Sequence, residues 1–265
     1  MIDNGYLFTK DNKRLFINTS LGCSGKCLYC YLPKLGYGNK DNNYKTISAN
    51  KILEMIEKKI LNLSKDTLIT LGCFSECWDD HNKNETLKII EYFLKKGNQV
   101  QLSTKKKIDK EDLFVLIPYI KYYGQLIIFV SSTTISKHSI IEKNTEIIEK
   151  RFESFKISKN LNIPIVLYIK PILKNITIKD LDLYKSYIEH YNIKDVVVGS
   201  IFTNNINNET VHFSNKNELF YNPIKDEDII ISVLSNICNV YRRSTDVTKY
   251  YRINQIKFEE KMLEK

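Results

Sequence analysis

The sequence predicts an α/β fold, a partial (β/α)6 TIM-type barrel with a small C-terminal appendage. Two patterns carry that expectation. Strand-length apolar runs alternate with helix-length amphipathic stretches over residues 1–200, as parallel strands joined by right-handed helical crossovers require. The cysteine-rich stretch from Cys23 to Cys30 follows the first of those runs, on the kind of loop where such arrays place their sites.

Arg14–Thr19 opens the array as a strand through the apolar run Leu15, Phe16 and Ile17. Ala49–Leu63 follows as a helix that Ser48 can cap. Thr67–Leu71 is the second strand and Lys83–Lys96 the second helix, which Gly97 can end. Gln99–Thr104, Gln125–Ser131, Ile163–Ile169 and Asp195–Gly199 are the remaining strands, separated by helical patterns at Asp109–Tyr122, Ile141–Asn160 and Ile178–Tyr191. Six strands are too few to close the eight-stranded barrel, so an open sheet is expected. Beyond Ser200 the pattern changes: Thr203–Asn217 is Asn-rich, Asp226–Val240 reads as a helix, and Tyr241–Lys257 is basic and aromatic. The expected division is residues 1–200 for the partial barrel and 201–265 for an appendage covering its open side, in one globular unit.

A chain of 265 residues with 43% hydrophobic content can bury a substantial core. Its formal charge of +9 comes mainly from lysine, which dilutes the usual inference of a polyanionic partner. Arg242, Arg243 and Arg252 nevertheless crowd one stretch, where guanidinium forks could grip phosphate or carboxylate. The amino end lacks a basic and apolar leader pattern, and no apolar run approaches the ~20 residues of a membrane span. No membrane partner and a cytoplasmic location are therefore expected.

Cys23, Cys27 and Cys30 stand at C-x3-C-x2-C spacing. Three thiols so placed can grip three irons of a 4Fe-4S cluster and leave the fourth open to a small molecule. Half of a zinc site is the alternative, but no second C-x2-C pair is present. Cys73, Cys77 and Cys238 do not form the dense pattern of a further cluster; Cys73 and Cys77 could pair as a disulfide, and Cys238 sits in an apolar stretch.

The cysteine spacing resembles the radical S-adenosylmethionine superfamily, whose core is an open three-quarter barrel. Within it, Cys27-Leu28-Tyr29-Cys30-Tyr31-Leu32 is similar to spore photoproduct lyase and its DNA-repair-photolyase-like relatives. Further likeness lies in Cys73-Phe74-Ser75-Glu76 after the second strand, Thr104-Lys105 after the third, Ser131-Ser132 after the fourth and, more weakly, Ile169-Lys170-Pro171 after the fifth. Together these span Leu15 to Gly199.

The resemblance implies a 4Fe-4S cluster on Cys23, Cys27 and Cys30, and S-adenosyl-L-methionine held by Tyr29, Gly72, Ser75, Lys105 and Ser131 or Ser132. Lys105 would meet the cofactor's carboxylate, a serine would donate a hydroxyl, and Gly72 would allow close backbone approach. Cys73 would give a hydrogen atom to a substrate radical, with Tyr29 and Tyr31 returning it. The implied activity is reductive cleavage of the cofactor to a 5'-deoxyadenosyl radical that takes hydrogen from a substrate. Repair of a thymine lesion in DNA is the nearest analogy, and modification of a peptide or natural product is the alternative. An electron donor such as flavodoxin or ferredoxin is implied as a partner.

Each role has a plainer alternative in the residues alone. Lys105 is one of three lysines in a row, Cys73 could be a small buried hydrophobe, and Gly72 could be a strand-end turn. Asp79-Asp80 reads as an exposed turn that could contact substrate, and the tyrosines of Tyr241–Arg252 could face the core.

Overall fold

The computed structural model describes residues 5–11, 13–37, 44–60, 63–157, 161, 163–203, 210–212 and 218–263. In chain order its strands are β1 (Leu7–Asp11), β2 (Arg14–Ile17), β3 (Ser20–Leu21), β4 (Lys45–Thr46), β5 (Leu68–Leu71), β6 (Val100–Thr104), β7 (Leu126–Ser131), β8 (Ile165–Ile172), β9 (Asp195–Thr203), β10 (Thr210–His212), β11 (Glu218–Asn222) and β12 (Asn239–Tyr241). β2, β5, β6, β7, β8 and β9 pair in that order, all parallel, so each connection moves to the adjacent strand. β1 adds antiparallel to β2 at one edge, β11 and β10 add antiparallel beyond β9 at the other, and β12 joins β9 in parallel. Among the described strands no pairing joins the two edges, and the sheet is open. The fold is thus mixed α/β with a largely parallel sheet.

Strand alternation divides the sheet into two faces of different chemistry. Leu15, Ile17, Ile69, Leu71, Leu102, Ile128, Val130, Leu167, Ile169 and Val198 point to the main hydrophobic core, under the helices. α1 (Ala49–Lys59) and α2 (Lys83–Lys96) pack on that side through Ile52, Ile56, Ile89, Ile90 and Phe93. Ser48 caps α1 by accepting from the Lys51 amide at 3.4 Å, and Gly97 ends α2 in the left-handed region at φ 88°. The opposite face presents Arg14, Phe16, Thr70, Gln101, Ser103, Phe129, Ser131, Tyr168 and Lys170 to a cleft of about 880 Å³.

Two expected helices are broken. Asp109–Tyr122 divides into α3 (Lys110–Phe114) and a 3-10 turn at Ile117–Tyr119, because Pro118 has no amide hydrogen for a continuous helix. Ile141–Asn160 becomes α4 (His138–Ile141), α5 (Ile148–Glu153) and a 3-10 turn at Ser154–Lys156, with 158–160 outside the described residues. There the Thr145 hydroxyl donates to the Glu142 carbonyl at 2.6 Å and competes with the helical bond. α6 (Leu181–Tyr191) follows a 3-10 turn at Thr177–Asp180.

The helix expected at Asp226–Val240 is shorter: α7 (Lys225–Leu234) ends before β12. α8 (Ser244–Leu263) then crosses the lower part of the cleft face, where Val247 and Tyr251 pack on Ile127, Phe129, Val166 and Val197. The Asn-rich positions 204–209 and 213–217 lie outside the described residues. Among the described residues no helix is long and apolar enough to cross a membrane.

Candidate active site

The cysteine loop leaves β3 at Gly22, whose φ of 100° favours glycine. It is tied at three points to elements distant in sequence. The Gly22 amide donates to the Phe74 carbonyl at 2.9 Å, Ser24 Oγ donates to Asp79 at 2.6 Å, and the Leu28 amide donates to the Ile141 carbonyl at 3.1 Å. A Cβ on Gly25 would lie 3.5 Å from Cys23 Sγ and 3.6 Å from Cys27 Sγ, so the two sulfurs flank one small cradle. Cys30 lines the same cleft wall, and all three are free thiols. Burial, reinforced by Glu76, pushes Cys23 up to about 12, and burial also raises Cys27 and Cys30. A bound cationic group would reverse that preference, since only thiolates ligate metal.

The loops after β5, β6 and β7 complete this end of the cleft. Ser75 Oγ and Ser131 Oγ are buried and have no hydrogen-bond partner among the described residues, and both residues line the cleft. Buried hydroxyls left unpartnered beside a cavity are the places where a bound molecule supplies the missing bonds. Lys105 lines the same space, with Nζ 5.7 Å from the Tyr29 ring centroid. Burial works against its positive charge, but Glu142, Cys27 and Glu76 outweigh burial and hold its pKa above the usual lysine value. Gly72 also lines the cleft at φ 77°, and a Cβ there would meet Cys77 Sγ at 2.8 Å. The turn and the packing of Cys77 require its glycine.

The serine pair is divided. Ser132 is fully buried, its carbonyl accepts from Tyr184 Oη at 2.8 Å, and it does not line the cleft. Strand alternation turns only Ser131 inward. The tyrosines are divided as well. Tyr29 donates to Glu142 Oε1 and accepts from Thr133 Oγ1, so its hydroxyl belongs to a packed polar network. Tyr31 donates to the Cys73 carbonyl at 2.7 Å and stands beside that cysteine. Cys73 lines the cleft, and burial pushes its thiol up to about 11. Cys77 is a buried free thiol donating to the Ser103 carbonyl at 3.7 Å, so no disulfide joins it to Cys73.

Three carboxylates hold this site together: Glu76, which the sequence marked without a role, Asp79, which it put in an exposed turn, and Glu142, which it did not mark. Glu76 accepts from Thr104 Oγ1 at 2.6 Å, the Trp78 amide at 3.1 Å and the Lys105 amide at 2.8 Å, joining the loops after β5 and β6. Glu142 forms a fully buried ion pair with Arg151 at 2.8 Å. Arg151 also donates to the Ser131 carbonyl at 2.9 Å. Asp79, expected in an exposed turn, is only 4% exposed and pairs with Lys106 at 2.8 Å while accepting from Ser24. Acidic residues in the loop that follows β5 were the available signal for Glu76 and Asp79. Nothing local marked Glu142.

At the other end of the cleft stand Lys170, Phe202, Tyr221, Glu227, Arg242 and Arg243. Two of the three arginines read as able to grip phosphate or carboxylate are engaged within the chain. Arg242 pairs with Glu227 at 2.8 Å and Asp228 at 2.6 Å, and Arg252 pairs with Asp66. Tyr251 is buried and donates to Asp195 at 2.6 Å, so part of the basic-aromatic stretch is core. Among the described residues no group of three or more His, Cys, Asp or Glu side chains converges on a single metal ion.

No protein-family model matches the sequence. No curated protein matches it either. Comparison of structures gives a clear likeness. Spore photoproduct lyase complexed with dinucleoside spore photoproduct is 13% identical at a TM-score of 0.59, over 85% of this chain and 75% of that one. A variant of the same enzyme with bound AdoMet and dinucleoside spore photoproduct is 14% identical at 0.60, over 86% and 76%. The fold is that of spore photoproduct lyase. Streptococcus suis SuiB bound to S-adenosylmethionine shares it at 10% identity and a TM-score of 0.57, over 88% of this chain and 50% of that one.

Proposed function

We propose that this chain is a radical S-adenosylmethionine enzyme of the spore photoproduct lyase type, working within a partial (β/α)6 barrel. The observation that carries the reading is the single cleft wall on which three free thiols, two unpartnered buried serine hydroxyls and Lys105 meet. The shared fold supports it, because structures of that fold contain AdoMet. Cys23, Cys27 and Cys30 would hold a 4Fe-4S cluster. When bound, cluster and cofactor supply a reductively generated 5'-deoxyadenosyl radical able to take hydrogen from a substrate.

The chain's own residues then have distinct duties. Lys105 presents a fixed positive charge to the cofactor's carboxylate. Ser75 and Ser131 offer hydroxyls that no group among the described residues uses. Tyr29 is a positioning residue, holding Glu142 beneath Lys105. Cys73 keeps its proton at neutral pH because burial raises its pKa to about 11, so it retains the S–H bond that a carbon radical would take. Tyr31, whose hydroxyl donates to the Cys73 backbone carbonyl, would return that hydrogen.

The nearest substrate analogy is a thymine lesion in DNA, since the neighbouring lyase structures hold dinucleoside spore photoproduct. A peptide or natural-product substrate is the second reading. The engagement of Arg242 and Arg252 in internal ion pairs favours it, because those guanidinium groups are already satisfied. The reaction requires an electron donor, such as flavodoxin or ferredoxin. Anaerobic reconstitution tests the reading: about four irons per chain, and 5'-deoxyadenosine on adding dithionite and cofactor, are expected. Stable iron binding without cofactor cleavage would refute it.

A further inference from the structure

Lys170 occupies an unusual position for a lysine. Its tail runs against Gly199, where a Cβ would come within 2.9 Å of Cδ and 3.0 Å of Nζ. Its ammonium lies 4.9 Å from the Phe202 ring centroid and 5.2 Å from that of Tyr221, held between two aromatic faces. Among the described residues no carboxylate stands within ion-pair distance of it. Glu227 is the nearby acid, and it is already occupied. Glu227 accepts from the Ser200 amide at 3.0 Å, Ser200 Oγ at 2.5 Å, Tyr221 Oη and Arg242 at 2.8 Å.

This end of the cleft therefore carries surplus positive charge. Arg14, Lys170, Arg242 and Arg243 line it, against Glu227 in the cleft wall, Asp228 on Arg242 and Asp246 near Lys170. Arg243 has no ion pair among the described residues. Ser244 and Thr245, which open α8, line the same space, so the positive end of a long helix faces it. Gln101 Oε1, buried there without a partner among the described residues, is an acceptor for a ligand hydroxyl or amine.

The charges acting on Lys170 are Glu227 on α7, Arg243 and Asp246 at the start of α8, and Arg14 on β2. Those acting on Lys105 are Glu142, Cys27, Arg151 and Glu76. The two lysines thus belong to separate electrostatic neighbourhoods of one cleft.

We propose, on the reading of this cleft as the active site, that Lys170 and Arg243 form a substrate subsite for an oxyanion, a phosphate or a carboxylate, opposite the cofactor end. Bidentate donation from Arg243 and the point charge of Lys170 would orient the substrate, with the rings of Phe202 and Tyr221 packing on its apolar part. Burial lowers the pKa of Lys170 to about 8, so its charge is present below that pH and lost above it. Anion affinity should fall across the same range.

The test titrates inorganic phosphate and, separately, acetate into the full chain at fixed ionic strength, followed by 31P and 13C NMR. Lys170→Met and Arg243→Gln should each weaken the bound anion about tenfold. The acetate affinity of the parent should drop between pH 7.5 and 9.5, and Lys170→Arg should remove that drop. Phosphate more than about tenfold tighter than acetate at pH 9 assigns a phosphate-bearing substrate; equal affinity assigns a carboxylate. Arg243 is exposed, so Arg243→Gln and the pH profile decide the matter even if Lys170→Met does not fold. Affinity unchanged in Arg243→Gln, or flat with pH, overturns the subsite. Iron loading and 5'-deoxyadenosine formation, measured on the same proteins, report separately on the cofactor reading.

Discussion

Replacing Arg151 by Met tests the polar network under the candidate cofactor end. Arg151 and Glu142 are both 0% exposed and joined at 2.8 Å. Met retains much of the side-chain volume and removes the charge, leaving Glu142 in the interior without its guanidinium partner. Breaking a buried pair on one side costs about 3–5 kcal/mol. At about 2–4 °C per kcal/mol for a chain near this size, the melting temperature should fall by roughly 6–20 °C. Burial alone would raise the pKa of Glu142, but Lys105, Arg151 and the Tyr29 hydroxyl reverse it and hold the group below its ordinary value. Its stabilising contribution is therefore present above the unfolded carboxylate value of about 4.3 and lost as pH falls through the lower folded value. Thermal unfolding from pH 7 to pH 3 should show a steeper acid loss in the parent than in Glu142→Gln. Adding Glu142→Met to Arg151→Met should recover most of the loss, because an apolar pair leaves no buried charge unpaired. A double variant no more stable than Arg151→Met would refute the reasoning and trace the cost to packing.

Cys73→Ala should retain iron binding and 5'-deoxyadenosine formation yet lose the correct product, because its proposed duty follows cofactor cleavage; chromatographic analysis separates the two. Tyr31→Phe should show the same split more mildly. Ser131→Ala and Lys105→Met should each weaken cofactor binding by about fivefold or more in equilibrium dialysis, while Ser132→Ala should leave it unchanged because Ser132 does not reach the cleft. Asp79→Ala removes the partner of both Ser24 and Lys106, so reconstituted protein should lose iron faster to a chelator than the parent does.

The alternation of apolar runs was sufficient to locate the six strands of the continuous parallel array, though not β12, because a strand buried on one or both faces must carry its hydrophobic residues in a short local pattern. Helices were less legible where side chains distant in the final pattern intervened. Lys83–Lys96 obeys its own periodicity from end to end. Ile141–Asn160 has similar periodicity and breaks, because Thr145, Glu142 and Arg151 spend their polar groups on one another. Pro118 was a visible breaker whose effect outweighed the apolar spacing around it.

The cysteine spacing, the six-strand parallel array and the thiol-hydroxyl-acid run after β5 are local, and the sequence by itself determined them; β1, β3, β4, β10, β11 and β12 it did not mark. The turning of Ser131 rather than Ser132 toward the cleft, the hydrogen bond of Tyr29 to Glu142 and the burial of Asp79 were decided only by tertiary structure. So was the meeting of Lys170 with Phe202, Tyr221 and Arg243. Each depends on which face of a strand turns inward, or on groups far apart in the chain becoming neighbours. Charge and hydrogen bonding act over a few ångströms in space, so residues remote in sequence acquire their chemistry only when the sheet brings them to one cleft.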